Sequence, residues 1–272
     1  MASRHQQVRE FYERDAAEYQ INRWSKDEVA LANYTMTKEA LLEALWPTVD
    51  ERILEIGCGS GTWTQVVAQR CRELTAIDIS ANMLALAQDY VTAANVTFIQ
   101  GDFARHQPEG AYDKVFAIRV FEHFQDKGET LCRIRNSLRD GGRVVIITKT
   151  VPSIWNGRVR INRTLRRLFR RQALGRQEYE AQFWMERITP WRLQRMLAAS
   201  GFINIWVGPV ILRLPILARG EDEYPLVFPP LESKVLDISL RMAQRVRQGP
   251  VWLRYLATFC SESYLVTAVS RV

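Results

Sequence analysis

The sequence predicts an α/β protein in which a parallel sheet carries helices on both faces beneath a helical cap. Three observations predict it. Between Arg52 and Thr148, short apolar runs of strand character alternate with segments of helical periodicity. The first run ends in glycines at alternate positions, Gly57-x-Gly59-x-Gly61, just before a helix begins. On either side, residues 1–48 and the stretch after Pro209 carry helical patterns that stand outside this rhythm.

The elements follow in order. "QVREFYERDAAEYQINRW" puts Val8, Phe11, Tyr12, Tyr19 and Ile21 at irregular helical spacings, and "TKEALLEALWP" is a short amphipathic helix ended by Pro47. "RILEIG" is the first strand and Thr62–Cys71 the helix after it. "ELTAIDIS" is a strand, followed by the helix "SANMLALAQDYV" with Ser80 as N-cap. "NVTFIQGD" and "YDKVFAIRV" are the third and fourth strands. "KGETLCRIRNSLRDGG" is a helix with Gly141 and Gly142 just past its end, and "RVVIIT" is the fifth strand. After Pro152 the pattern breaks. Thr189 and Pro190 then open the helix "PWRLQRMLAASG", with Thr189 as N-cap. "FINIWVG" is a strand, Leu231–Arg247 and Val251–Phe259 are helical, and "SYLVTAVSRV" is the closing strand. The resulting domain division is 1–48 for the cap helices and 49–207 with 261–272 for the core. A basic insertion occupies 152–188, and a second insertion, 208–260, contributes to the cap.

With 272 residues the chain suits one large domain or a domain with an added cap. No apolar run approaches the ~18 residues of a membrane span. The polar start, "MASRHQQVREFYERDAAEYQ", lacks the apolar core of a signal peptide, so a cytoplasmic protein is expected. Cys58, Cys71, Cys132 and Cys260 lie far apart without a CxxC or His/Cys cluster, which argues against a zinc site or a disulfide framework. The net charge of +7 is local: Arg158–Arg176 holds eight arginines and no acid, and without them the remainder would carry −1.

A glycine-rich turn between strand and helix lets a ligand approach the backbone and aims amide N–H groups at it. In an open parallel sheet this turn lies at the carboxyl edge of the strands. The dinucleotide fingerprint GxGxxG does not fit, because the third glycine comes one residue early. Asp78, at the end of the second strand, is placed to accept both ribose hydroxyls of a nucleoside. Asp102, in "QGDF", is placed to accept from an adenine amino group, with Phe103 beside the ring and Ile79 and Met83 as apolar cover.

This constellation resembles the class I S-adenosylmethionine-dependent methyltransferases. "LEIGCGSG" matches their first motif, "AIDIS" the second, "GDF" the third and "GGRVVIIT" the fifth strand. The resemblance runs from about Leu41 to Phe202 and implies a Rossmann-like seven-stranded mixed sheet whose last strand is antiparallel. It implies S-adenosylmethionine as cofactor. Gly57, Gly59 and Gly61 then flank the methionine part, with Glu55 and Gly57 near its amino end. Asp78 sits at the ribose, Asp102 and Phe103 at the adenine, and Ile118 and Arg119 towards the sulfonium. A more local likeness is to the small-molecule methyltransferases of the ubiquinone, menaquinone and biotin pathways. It rests on "FYERDAAEY" and on "RVFEHF". There it implies a tyrosine covering the cofactor, Tyr19 with Tyr12 behind it; a core or cap tyrosine is the equal alternative. Some ubiquinone-pathway relatives bind a divalent metal through an acid three residues before the Glu-His pair. That position is Arg119 here, so no metal is expected.

A methyl on a sulfonium needs an acceptor held in line and water excluded. A hydroxyl acceptor must also lose a proton, and His123 stands at the right sheet edge to act as general base; the alternative is a histidine that packs locally at a helix start. His5 and His106 carry no signal. On a helix, Ile161, Leu165, Leu168 and Phe169 of the arginine-rich segment form an apolar stripe flanked by arginines. Arg158–Arg176 therefore suits peripheral contact with an anionic membrane or pairing with acids such as Glu221, Asp222 and Glu223. Nucleic acid is disfavoured as a partner, since exposed aromatics do not interleave the arginines.

The sequence thus points to a class I methyltransferase acting on a small, hydrophobic acceptor, with oxygen favoured because a histidine is available. Its rivals are a nucleic-acid or protein methyltransferase, a nicotinamide-dependent oxidoreductase and a non-catalytic cofactor-binding partner protein. The base-methylating motif Asn/Asp-Pro-Pro-aromatic is absent after the fourth strand, which reads "IRVFEH", and "FPPL" at 228–231 is in the wrong place. Nothing in the sequence points to a particular oligomeric state.

Overall fold

The computed structural model describes residues 4–20, 24–25, 27–105, 111–151, 185–212 and 232–271. Among these, seven strands form one sheet: β1 Arg52–Ile56, β2 Glu73–Asp78, β3 Val96–Gln100, β4 Tyr112–Ile118, β5 Leu138–Lys149, β6 Phe202–Pro209 and β7 Ser263–Ser270. The order is β3-β2-β1-β4-β5-β7-β6. The first five strands pair in parallel, and β7 lies antiparallel between β5 and β6. This is the expected Rossmann-like seven-stranded mixed sheet. The chain steps outward from β1 to β3, then returns to the other side of β1 with β4. The loops leaving β1 and β4 therefore part, and a crevice opens at the carboxyl edge between them.

Eight helices accompany the described strands: α1 Arg4–Gln20, α2 Glu28–Leu45, α3 Thr62–Ala68, α4 Ala81–Tyr90, α5 Lys127–Ser137, α6 Pro190–Ala199, α7 Glu232–Gln248 and α8 Val251–Cys260. Strand alternation sends neighbouring side chains into two cores. On β5, Val145 and Ile147 join Met36, Leu41 and Val67 on one face. Val144 and Ile146 join Leu131, Ile134, Leu193 and Leu197 on the other. The sheet is thus buried on both sides, as a parallel sheet requires.

Several boundaries differ from expectation for identifiable reasons. α2 starts earlier than "TKEALLEALWP", because Asp27 caps it by accepting from the Ala30 N–H at 2.7 Å. It stops at Trp46, whose left-handed φ of 47° closes the last turn one residue before Pro47. α3 ends at Ala68, short of Cys71. α5 ends at Ser137, not at the Gly141–Gly142 pair: Leu138 turns extended, buries its side chain and pairs with Tyr112. Gly141 instead takes φ 73° at the irregular start of β5. Ser80 caps α4 as expected, accepting from the Met83 N–H at 3.1 Å, whereas the Thr189 hydroxyl makes no cap bond to α6.

Two contacts place the flanking helices. Glu13 of α1 accepts from the Ala81 and Asn82 N–H groups at 2.9 and 3.1 Å, laying a carboxylate on the N-terminus of α4. α7 packs on α2, where Arg247 Nε meets Glu43 at 2.9 Å, and α8 lies on β6 with the Arg254 guanidinium 5.2 Å over the Trp206 ring.

Candidate active site

The crevice between β1 and β4 is a cavity of about 740 Å³, open mouth included, a size suited to a small-molecule ligand. β1 delivers Ile56 to its wall and then turns through Gly57, Gly59 and Gly61, all at positive φ (71°, 54° and 81°). Only glycine adopts that path without strain. The space is also claimed by protein. A Cβ on Gly57 would lie 2.6 Å from Val120 Cγ2, and one on Gly61 would lie 2.8 Å from Val91 Cγ2. Two of the three glycines are therefore needed for the chain's own packing as well as for an open backbone. Gly57 and Gly59 line the cavity; Gly61 starts α3 behind it.

Asp78 ends β2 at the cavity wall, 9% exposed. Its carboxylate accepts from Gly59 N–H at 2.8 Å and Ser80 N–H at 2.9 Å, which fixes it against the loop. Burial nevertheless raises its pKa above the usual carboxylate range. Ile79 and Met83 follow it into the lining. Gly101, Asp102 and Phe103 close the far side, with the Asp102 carboxylate accepting from Ala104 N–H at 3.0 Å and Phe103 edge-on to Phe124. Glu55 is not in the lining. It lies buried behind the loop, where Thr64 Oγ1 donates to it at 2.5 Å, and burial pushes its pKa up to about 8.

The β4 side carries the polar groups. Arg119 follows β4 at φ 61°, its N–H bonded to the Ile147 carbonyl at 2.8 Å. Its guanidinium is buried 3.9 Å from the Glu122 carboxylate and 3.8 Å from Glu262. Burial works to raise the Glu122 pKa. The positive charges of His123, Arg119 and Lys149, with the Thr148 hydroxyl donating at 2.7 Å, outweigh it and hold the carboxyl below its ordinary value. A short 3₁₀ turn, Phe121–His123, then aims the imidazole into the cavity. There His123 Nε2 lies 3.1 Å from the Tyr12 hydroxyl, with the rings edge-to-face at 5.7 Å.

Of the residues singled out from sequence, Gly57, Gly59, Asp78, Ile79, Met83, Asp102, Phe103, Arg119 and His123 surround one cavity, while Glu55 and Gly61 stand behind its wall. Tyr19 lies in the last turn of α1, and its side chain falls outside the described residues, as do Arg158–Arg176, Glu221, Asp222, Glu223 and 228–231. Tyr12, the second candidate, is the α1 tyrosine seen at the cavity. Sequence reasoning did not place Val8, Val120 or Phe124 there. Val8 carried a signal, standing one helical turn before Tyr12. Among the described residues, α7 and α8 contribute nothing to the lining, because they pack on α2 and β6 instead. No group of three or more His, Cys, Asp or Glu among the described residues could hold a metal ion. No described helix is long and apolar enough to cross a membrane.

Comparison with known proteins converges on one family. A methyltransferase domain model matches residues 54–146, the span from β1 into β5. An uncharacterized methyltransferase of Mycobacterium bovis is 29% identical over 126 residues, covering 46% of this chain and 64% of that protein. A malonyl-[acyl-carrier protein] O-methyltransferase of Priestia megaterium is 33% identical over 98 residues, 35% of this chain and 36% of that one. The chain therefore spans less than two thirds of the length of either relative. Among solved structures, magnesium protoporphyrin IX methyltransferase from Synechocystis, with bound S-adenosylhomocysteine, superposes with a TM-score of 0.59 at 15% identity. The match covers 98% of this chain and 100% of that one, a likeness of fold. Domain match, motifs and sheet order together support a class I S-adenosylmethionine-dependent methyltransferase, with residues 54–146 as the matched methyltransferase domain.

Proposed function

We propose that this protein transfers the methyl group of S-adenosylmethionine to an oxygen atom of a small acceptor with an apolar body. The observation that carries the reading is the meeting, around one cavity, of a nucleoside-type wall (the glycine turn, Asp78, Asp102 and Phe103) with the Tyr12–His123 pair.

The residues present fit the family's cofactor. The Asp78 carboxylate is held by backbone N–H groups of Gly59, Ile79 and Ser80 and keeps accepting capacity for a ribose hydroxyl. Asp102 is placed to accept from an exocyclic amine, and Ile79, Met83 and Phe103 form a slot for a flat ring. Gly57 would stand near the methionine amino group, with Glu55 buried behind the loop and outside direct contact, and the Arg119 backbone beside the sulfonium. When bound, the cofactor supplies an electrophilic methyl on a positively charged sulfur.

Every other step falls to the chain. The cavity wall positions the acceptor and excludes water. The His123 imidazole takes up the acceptor's proton through the Tyr12 hydroxyl bonded to its Nε2: the hydroxyl gives its proton to Nε2 and receives the acceptor's, as the acceptor oxygen becomes nucleophilic. The buried Glu122 carboxylate, next in sequence, favours the imidazolium that results. The Tyr12 hydroxyl orients the imidazole and covers the cavity in the part assigned to Tyr19 on sequence grounds. Oxygen as the acceptor atom is supported by this base and by the O-methyltransferase relatives. An apolar acceptor body is supported by Val8, Ile118, Val120 and Phe124 in the lining.

Methyl-labelled S-adenosylmethionine, purified protein and an extract of the source cells test this reading. After reaction, organic-soluble, water-soluble and acid-precipitable fractions are separated. Label in the organic fraction supports a small apolar acceptor. Label in the precipitate replaces it with a protein or nucleic-acid acceptor. No label in any fraction, with cofactor binding intact, makes the chain a non-catalytic cofactor-binding protein.

A further inference from the structure

α8 turns its apolar side outward. At 3.6 residues per turn, Val251, Trp252, Tyr255, Leu256 and Phe259 fall within an arc of about 140°. Val251, Trp252 and Leu256 are 58, 66 and 58% exposed. Trp191 of α6, itself exposed, packs on Phe259 with ring centroids 5.4 Å apart and widens the patch. The opposite side faces the protein: Ala257 and Thr258 are buried, and Arg254, the one charged residue of α8, is held over Trp206 and donates to the Gly249 carbonyl at 2.9 Å. The outward face therefore carries no charge, the reverse of an ordinary surface helix. Contiguous exposed apolar side chains of this size mark an interaction site.

Charge identifies what they meet. Residues 1–151, which build the cavity, carry 18 Lys/Arg and 21 Asp/Glu, a net −3; residues 152–272 carry 19 and 9, a net +10. The described parts of that second half, 185–212 and 232–271, hold nine basic residues against four acids. Arg195 on α6 and Arg241 and Arg245 on α7 are exposed on helices that adjoin α8. A nucleic-acid surface would put cations at the centre of contact. Here tryptophan and leucine make the patch and exposed arginines stand on the two helices that adjoin it, the composition of a segment that lies in a lipid interface over anionic headgroups.

We propose that the α8 face, with Trp191, docks on an anionic lipid surface. Val251, Trp252 and Leu256 enter the interface, and the arginines of α6 and α7 meet lipid phosphates. The methyltransferase core then stands at a membrane without spanning it.

The test is co-sedimentation of the full chain with phosphatidylcholine vesicles made with or without phosphatidylglycerol. Binding is expected to the anionic vesicles, to weaken with added salt, and to be absent with neutral ones. The double variant Trp252→Glu/Leu256→Glu should bind about tenfold more weakly or worse. Both side chains are exposed, so its melting temperature should match that of the parent. No vesicle binding by the parent overturns the proposal. So does equal binding by parent and variant, which moves the contact to another segment, or a dimer that the variant converts to monomer. The readout is vesicle binding rather than methyl transfer, so this proposal and the functional reading fail separately.

Discussion

The Glu55 carboxyl is 1% exposed and has the Thr64 hydroxyl as a hydrogen-bond donor at 2.5 Å. Burial raises its pKa from 4.5 to about 8, with the nearby Asp78 charge adding to the shift. Between these two values the folded protein keeps a proton that the unfolded chain has released, so stability falls as pH rises. Below the lower value both states are protonated and nothing is lost. The slope is about 1.4 kcal/mol per pH unit, flattening as the folded value is approached. From about pH 6 to about pH 8 the loss due to Glu55 is ~2 kcal/mol. Glu55→Gln keeps the shape and an acceptor oxygen for Thr64 but removes the titration. Urea unfolding of parent and variant, cofactor-free, at both pH values yields a double difference. Asp78 is also pushed up by burial, but it is present in both proteins and cancels to first order. The variant should lose ~2 kcal/mol less than the parent across this range. Equal losses in the two proteins would refute a protonated Glu55 in the folded state.

Four further outcomes are expected. Asp78→Ala should weaken S-adenosylmethionine binding by about tenfold or more in calorimetry, since it removes the ribose acceptor and the anchor of Gly59. His123→Ala should lower kcat by about 10² or more and abolish the acid limb of the pH–rate profile while leaving cofactor affinity unchanged. Tyr12→Phe should cause a smaller fall in kcat and displace that limb, because it removes the 3.1 Å contact to Nε2. Gly61→Ala should destabilise the fold by ~2 kcal/mol or more in thermal unfolding, because φ 81° and a 2.8 Å approach to Val91 both oppose a side chain.

The sheet was legible because its causes are local. β1, β2, β4 and β5 are short apolar runs with side chains buried on both faces, β3 is the half-buried edge strand, and glycine or a capping residue such as Ser80 marks their ends. Boundaries failed where tertiary contact overrode the local pattern. Leu138 left α5 early for a place against Tyr112, although "SLRD" continues the helical rhythm. Asp27 started α2 earlier than its apolar pattern suggested, through a single carboxylate.

The site divides in the same way. The proposed cofactor wall hangs from the ends of β1, β2 and β3, so strand ends read from sequence put Gly57, Asp78 and Asp102 at one edge. The Tyr12–His123 contact joins residues 111 apart and depends on how α1 crosses the sheet. That crossing is set by Glu13, whose carboxylate bonds two N–H groups at the start of α4. Glu13 follows Tyr12 directly, so one turn of α1 binds the helix that succeeds Asp78 and also meets the imidazole on the β4 side. The proposed cofactor wall and the proposed base are thereby bridged by two consecutive side chains. No periodicity encodes such a bridge, because Glu13 in "FYERD" looks like any solvated helix acid until α4 presents its N-terminus to it.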